Sequence, residues 1–175
     1  MIALAARLRR PLGLLLMVSA MSAAGSWQSA AACYGREGPG AQARFKARDG
    51  EVEDTLMGLT WKRCSLGTQW NEKGGCVGEL AYVGLDEAIA QAPDGWRVPS
   101  GPELESLVDP GCGSPVVDRS IFPDIHADDE GHAKYWTTSP AGMLDLYWNF
   151  DFIDGRPDAN SRGVGLAIRF VRTKR

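Results

Sequence analysis

Residues 94–107 read DGWRVPSGPELESL, and the reading of this stretch decides the fold. Trp96 is a large apolar anchor, Val98-Pro99 holds the chain extended, and Ser100 followed by Glu103 has the spacing of a helix capping box. The chain turns here from strand to helix. Leu104, Leu107 and Val108 then fall at helical spacing on one face, and Asp109-Pro110-Gly111 stops the run. The pattern predicts a nearly fully buried Trp96 packed on the Leu104 and Leu107 face, at the centre of a small domain.

Working outward, residues 85–92 predict a short helix with Ala88, Ile89 and Ala92 turned inward, ended by Pro93-Asp94-Gly95. Further upstream, residues 45–48 and 51–53 read as strands around Asp49-Gly50, a strong hairpin turn pair. Leu59, Trp61 and Arg63 alternate with Thr60 and Lys62, which points Trp61 into a core. Downstream the chain is strand-rich, and Val164, Leu166, Ile168 and Phe170 predict a closing core strand. The fold class is therefore α+β, with two short helices packed on a twisted antiparallel sheet.

At the start of the chain, Arg7, Arg9 and Arg10 precede an apolar run over residues 12–24, and Ala30-Ala31-Ala32 offers small residues to a peptidase. Residues 1–32 read as a secretory signal peptide. The run is too short to span a bilayer, so no transmembrane segment is expected. Arg9-Arg10 also fits a twin-arginine signal; Pro11 and the lack of polar flanks point to the general secretory route. Residues 33–44, rich in Gly, Ala and charge without a period, read as a tether, and residues 45–175 as a single domain. About 140 residues suffice for one sizeable core. The location expected is the periplasm or cell surface. Ala-Ala-Ala-Cys33 also loosely resembles a lipoprotein box, although Ala30 stands where Leu is usual and polar Ser26, Gln28 and Ser29 intervene.

Loss of residues 1–32 removes three arginines and no acids, taking the formal charge from -3 to -6. An acidic domain has no general attraction for phosphate backbones, so nucleic acid is not an expected partner. The remaining basic cluster is C-terminal: Arg169, Arg172, Lys174 and Arg175. All four cysteines (Cys33, Cys64, Cys76 and Cys112) stay in the exported chain, and an even count in an oxidising compartment predicts two disulfides, with three pairings open. No CxxC occurs, so zinc held by thiolates is not expected.

Residues 123–134, PDIHADDEGHAK, concentrate Asp124, His126, Asp128, Asp129, Glu130 and His132. The carboxylates lack the alternate-residue spacing of a calcium loop, and histidines six apart do not share a helical face, so neither metal nor cofactor is expected. Residues 146–153 have a period of two. Leu146, Trp148, Phe150 and Phe152 are expected in the core, while Tyr147, Asn149 and Asp151 turn outward. An aromatic plane, an amide and a carboxylate are the chemistry that stacks on and hydrogen-bonds to a polar ligand. The following residues 156–163 read as a polar loop that would add Arg156, Asp158 and Asn160 to that ligand-binding set. No GxSxG or HExxH is present, and two histidines offer few bases near neutral pH, so no enzyme activity is expected.

The pattern WRxPxxxELxxL over residues 96–107 carries a family resemblance, supported in order by Asp49-Gly50, GLTWKRC at 58–64, Phe122-Pro123, YWTTS at 135–139, residues 148–155 and RFVR at 169–172. Together these are similar to the C-terminal domain family of Legionella collagen-like proteins, a bacterial domain of unknown function regarded as a relative of the C-type lectin fold. The resemblance spans residues 45–172. It implies a C-type-lectin-like fold and a Cys64–Cys76 disulfide, which leaves Cys33 with Cys112. Residues 55–58, TLMG, depart from the family, where Thr more often precedes the Gly. Calcium-dependent lectins use a Trp-Asn-Asp triplet, whereas this chain has Trp148-Asn149-Phe150, so sugar binding through calcium is not expected. Adhesive members are associated with sulphated polysaccharides, for which the acidic charge is unsuited. The function expected is an exported bacterial binding module, adhesive or ligand-recognising, for a saccharide or protein at the cell surface. A structural or accessory subunit of an envelope, pilus or secretion assembly is the alternative.

Overall fold

Asp49 and Gly50 reverse the chain between β1 (Phe45–Arg48) and β2 (Glu51–Asp54). Asp49 sits at φ 51°, the left-handed conformation that such tight hairpin turns need. The computed structural model from which this geometry is taken describes residues 44–73, 75–142 and 145–174. The expected signal peptide, the tether apart from Arg44, and Cys33 lie outside the described residues. Among those described, no helix is long and apolar enough to cross a membrane.

β2 pairs antiparallel with β3 (Leu59–Lys62), and β3 pairs with β9 (Val171–Thr173), giving a four-stranded sheet in the order β1-β2-β3-β9. Both ends of the domain therefore share one sheet. A small hairpin, β4 (Thr68–Asn71) with β5 (Gly75–Gly78), follows β3. Helix α1 (Leu85–Ala90) and helix α2 (Gly101–Glu105) come next. The second half is a three-stranded antiparallel sheet, β6 (Lys134–Pro140), β7 (Leu146–Asp151) and β8 (Arg156–Ser161), in that order. The α+β class is as the sequence predicts, with separate sheets in place of a single one.

Two apolar cores lie side by side. One gathers Val52, Trp61, Leu104, Leu107, Phe122, Tyr135, Phe150 and Phe152; the other gathers Leu85, Ala88, Val98, Trp136, Leu166, Ile168 and Phe170. Residues 166–171 run between them and are buried at every position, not at alternate ones. The expected closing strand is thus a threaded segment. It makes single bridges from Leu166 to Val83 and from Ala167 to Tyr135 before β9 begins.

Three expectations from the sequence are corrected here. Trp96 is only part-buried and packs against the second core, away from Leu104 and Leu107 in the first. Its ring lies 4.2 Å from Lys62 Nζ and 4.4 Å from Arg172 Cζ, so strand cations cover it instead of the α2 face. Ile89 is 47 % exposed, because a six-residue helix buries one narrow stripe and Leu85 and Ala88 fill it. The C-terminal basic cluster does not form either: Arg169 is fully buried on Asp124, while Arg172 and Lys174 pair with Glu51 and Glu53.

Candidate functional site

The turn between β7 and β8 is set by Asp154 and Gly155. Asp154 accepts the N–H of Arg156 at 3.1 Å, and Gly155 sits at φ 76°. A side chain at Gly155 would stand 2.9 Å from Val108 Cγ1 and 3.1 Å from Val116 Cγ2, so only glycine lets this turn pack against the first core. The hairpin register that follows pairs Tyr147 with Asn160, Asn149 with Asp158, and Asp151 with Arg156. Directly paired residues of antiparallel strands project from the same side. All six side chains expected to bind ligand are therefore brought to one face of the sheet.

The segment expected as a polar loop is strand β8 over most of its length. Arg-Pro-Asp-Ala-Asn-Ser has little intrinsic β preference, and Pro157 is tolerated because β8 is an edge strand. Pairing along the whole of β7 overrides the local preference.

Cover on this face is thickest at β6 and thins toward β8. Lys134 and Trp136 share the face through their pairings with Asp151 and Asn149, and Trp136 is fully buried beneath the second core. The expectation that Asn149 and Asp151 face water is corrected by their burial. Asn149 is fully buried, and its Nδ2 donates to the Asp158 carbonyl at 3.0 Å and to Asn160 Oδ1 at 2.8 Å. Asp151 Oδ1 accepts the N–H groups of Ala133 and Ile153, and its Oδ2 lies 2.6 Å from His132 Nδ1. Both side chains brace the sheet from within.

Of the six, Tyr147, Arg156, Asp158 and Asn160 keep some exposure. Tyr147 is half-buried, with the Arg162 guanidinium 4.9 Å from its ring centroid. Asp158 is exposed and takes Lys134 Nζ at 2.7 Å. That hydrogen bond raises the Lys134 ammonium and lowers the Asp158 carboxyl from their ordinary values. The arrangement offers a ring, three cations (Lys134, Arg156 and Arg162), a carboxylate and an amide, groups that can stack and hydrogen-bond.

On the opposite face the sequence placed Leu146, Trp148, Phe150 and Phe152 in the core. Phe150 and Phe152 are there, but Trp148 is 38 % exposed. It stands over a groove of about 240 Å³ whose other walls are Gly101, Pro102, Glu105, Ser139, Phe150 and Pro157. The available signal was the small start of α2, Gly101-Pro102, which cannot cover an indole.

In the acidic stretch, Asp124 is structural. It is buried with Arg169 and accepts from the Ser65 N–H at 2.6 Å and the Thr68 hydroxyl at 2.7 Å. Burial alone would raise its carboxyl; the Arg169 charge and these donors more than offset that and hold it below the usual range. His126, Asp128, Asp129 and Glu130 line a separate surface cavity with Tyr82, and burial followed by those carboxylates raises the Tyr82 phenol. Cys64 and Cys76 lie beside Asp124 but are joined in a disulfide, S–S 2.08 Å, as the resemblance implies. Their sulfurs are therefore not thiolate ligands. The Cys33–Cys112 pairing lies outside the described residues because Cys33 does.

Residues 50–172 match the family model of the Lcl C-terminal domain. No curated protein and no solved structure matches the chain.

Proposed function

The chain belongs to the Lcl C-terminal domain family, and from that premise we propose that it is an exported, non-catalytic bacterial binding module that recognises a saccharide or protein ligand through the β7–β8 face. The observation that carries this reading is the register that aligns Tyr147 with Asn160 and Asp151 with Arg156 on one side of the sheet. Asn149 and Asp151 stiffen the platform from within, which reduces the ordering cost of binding. Tyr147 supplies a stacking surface; Arg156, Asp158 and Asn160 supply hydrogen bonds. The carboxylate on this rim and the acidic charge disfavour sulphated chains.

Export to the periplasm or cell surface is supported by the arginine-then-apolar pattern of residues 7–24, and the Cys64–Cys76 disulfide supports an oxidising compartment. We read the fold more finely as C-type-lectin-like; the β3–β9 pairing that joins the two ends of the domain and the two short helices support that reading. A second reading, a subunit of an envelope, pilus or secretion assembly, draws support from Leu56 at 73 % and Met57 at 39 % exposure in the β2–β3 turn. Adjacent exposed apolar side chains of this kind suit a protein contact.

Glycan and bacterial-surface protein arrays probed with the purified chain test the assignment. The Arg156→Ala, Asp158→Ala double variant should lose the captured ligand and keep its melting temperature, since both side chains are exposed. A ligand held equally well by this variant would place recognition elsewhere on the molecule.

A further inference from the structure

We propose that the Trp148 groove, on the opposite side of β7 from the polar face, docks an extended proline-containing peptide segment that carries a basic side chain. Trp148 and Phe150 project from the same side of β7, but Phe150 is 4 % exposed and Trp148 is 38 % exposed, so the edge of the first core surfaces at the indole. Pro102 and Pro157 flank it. The floor is held in place where the Gly101 N–H donates to Ser139 Oγ at 2.9 Å.

Size and polarity select the occupant. Small-molecule sites commonly enclose roughly 300–1,000 Å³, and this groove is an open one of about 240 Å³. It suits one anchor of a longer chain. A saccharide needs several hydrogen-bonding partners, yet the polar side chains here are Ser139, already engaged by Gly101, and Glu105. Aromatic and proline walls instead match the polyproline conformation, which is extended before binding and loses little entropy on docking.

Charge complementarity supplies the basic side chain. Helix α2 carries two acids. Glu103 is engaged by Arg97 and Ser100, whereas the Glu105 carboxylate has no hydrogen-bond or ion-pair partner among the described residues. A free carboxylate at the rim and the face of an indole both attract a cation. The surface is separate from the β7–β8 polar rim and does not depend on that rim's ligand.

Nuclear magnetic resonance of the ¹⁵N-labelled chain reads the indole N–H of Trp148, assigned from its loss in Trp148→Phe. The probes are a synthetic proline octamer ending in two lysines, the same octamer ending in two glutamates, and maltopentaose. The lysine peptide should move the Trp148 resonance and bind at least about fivefold more tightly than the glutamate peptide. Glu105→Gln, a surface change, should remove most of that preference, and Trp148→Ala, followed through the backbone N–H of Gly101 in the groove, should weaken binding by about tenfold or more. The proposal is overturned if the lysine peptide leaves Trp148 unmoved at millimolar concentration, or if both peptides bind equally. Movement by maltopentaose alone would make the groove a sugar site and overturn it too. So would concentration-dependent dimerisation that Trp148→Phe abolishes.

Discussion

Arg169 carries a full charge between the two cores, and its guanidinium is satisfied almost entirely by the chain around it. It pairs with Asp124 and donates to Ser65 Oγ and to the carbonyls of Lys62 and Arg63. Tyr135 closes the network through Ser65 Oγ at 2.9 Å, and burial pushes its phenol up to about 12. Breaking a buried pair from one side leaves an uncompensated charge. Asp124→Ala should therefore cost on the order of 3–5 kcal/mol in urea unfolding, more than any surface ion pair. Tryptophans sort by the same logic of cover. Trp136→Ala empties a fully buried site and should cost about 3–5 kcal/mol, whereas Trp96→Ala removes a ring capped by Lys62 and Arg172 and should cost roughly half as much. Equal losses in the two variants would show that Trp96 is a core residue after all.

Helix α2 has five residues, too few to be stable by propensity. Its start is held by Glu103, whose carboxylate accepts the Ser100 N–H at 2.8 Å, the Ser100 hydroxyl at 2.9 Å, and Arg97. The Arg97 hydrogen bond, supported by Ser100, lowers the Glu103 carboxyl from 4.5 to about 2 against the opposing effect of burial. A folded value below the unfolded one contributes stability that is fully present above about 4.5 and is lost as pH falls toward 2. Arg97 is 44 % exposed, so solvent screening reduces the contribution to about 1 kcal/mol. Glu103→Gln should lose about that amount at pH 6 and have a flatter stability profile between pH 5 and pH 2. Parallel profiles for the two proteins, measured by chemical unfolding, would remove the capping role.

The molecule as a whole is closed by its last strand. β3 lies between β2 and β9, so one side of β3 in the N-terminal sheet is filled by Val171–Thr173, which continue the segment 166–170 that runs between the cores. Removing residues 171–175 should abolish cooperative unfolding, because it strips β3 and takes Val171 out of the first core. A truncated chain that melts sharply would mean that the two halves fold independently.

Much of this fold was legible in the residues because it depends on local chemistry. Asp49-Gly50 demanded a hairpin, Ser100 with Glu103 a helix start, and the alternation around Trp61 and along β7 followed from backbone geometry alone. Burial was not legible in the same way. A period of two states which side chains share a face, and Tyr147, Asn149 and Asp151 do share one; what covers that face depends on segments distant in sequence. Trp136 and the second core seal Asn149, while the small start of α2 leaves Trp148 open. Strand β8 has little β propensity of its own and exists through its register with β7. Arg169 looked like surface charge until Asp124, 45 positions away, met it inside. The sequence by itself determined the elements, the alternation and the family; tertiary structure decided which polar groups stay exposed, because cover and pairing are long-range contacts that no local pattern records.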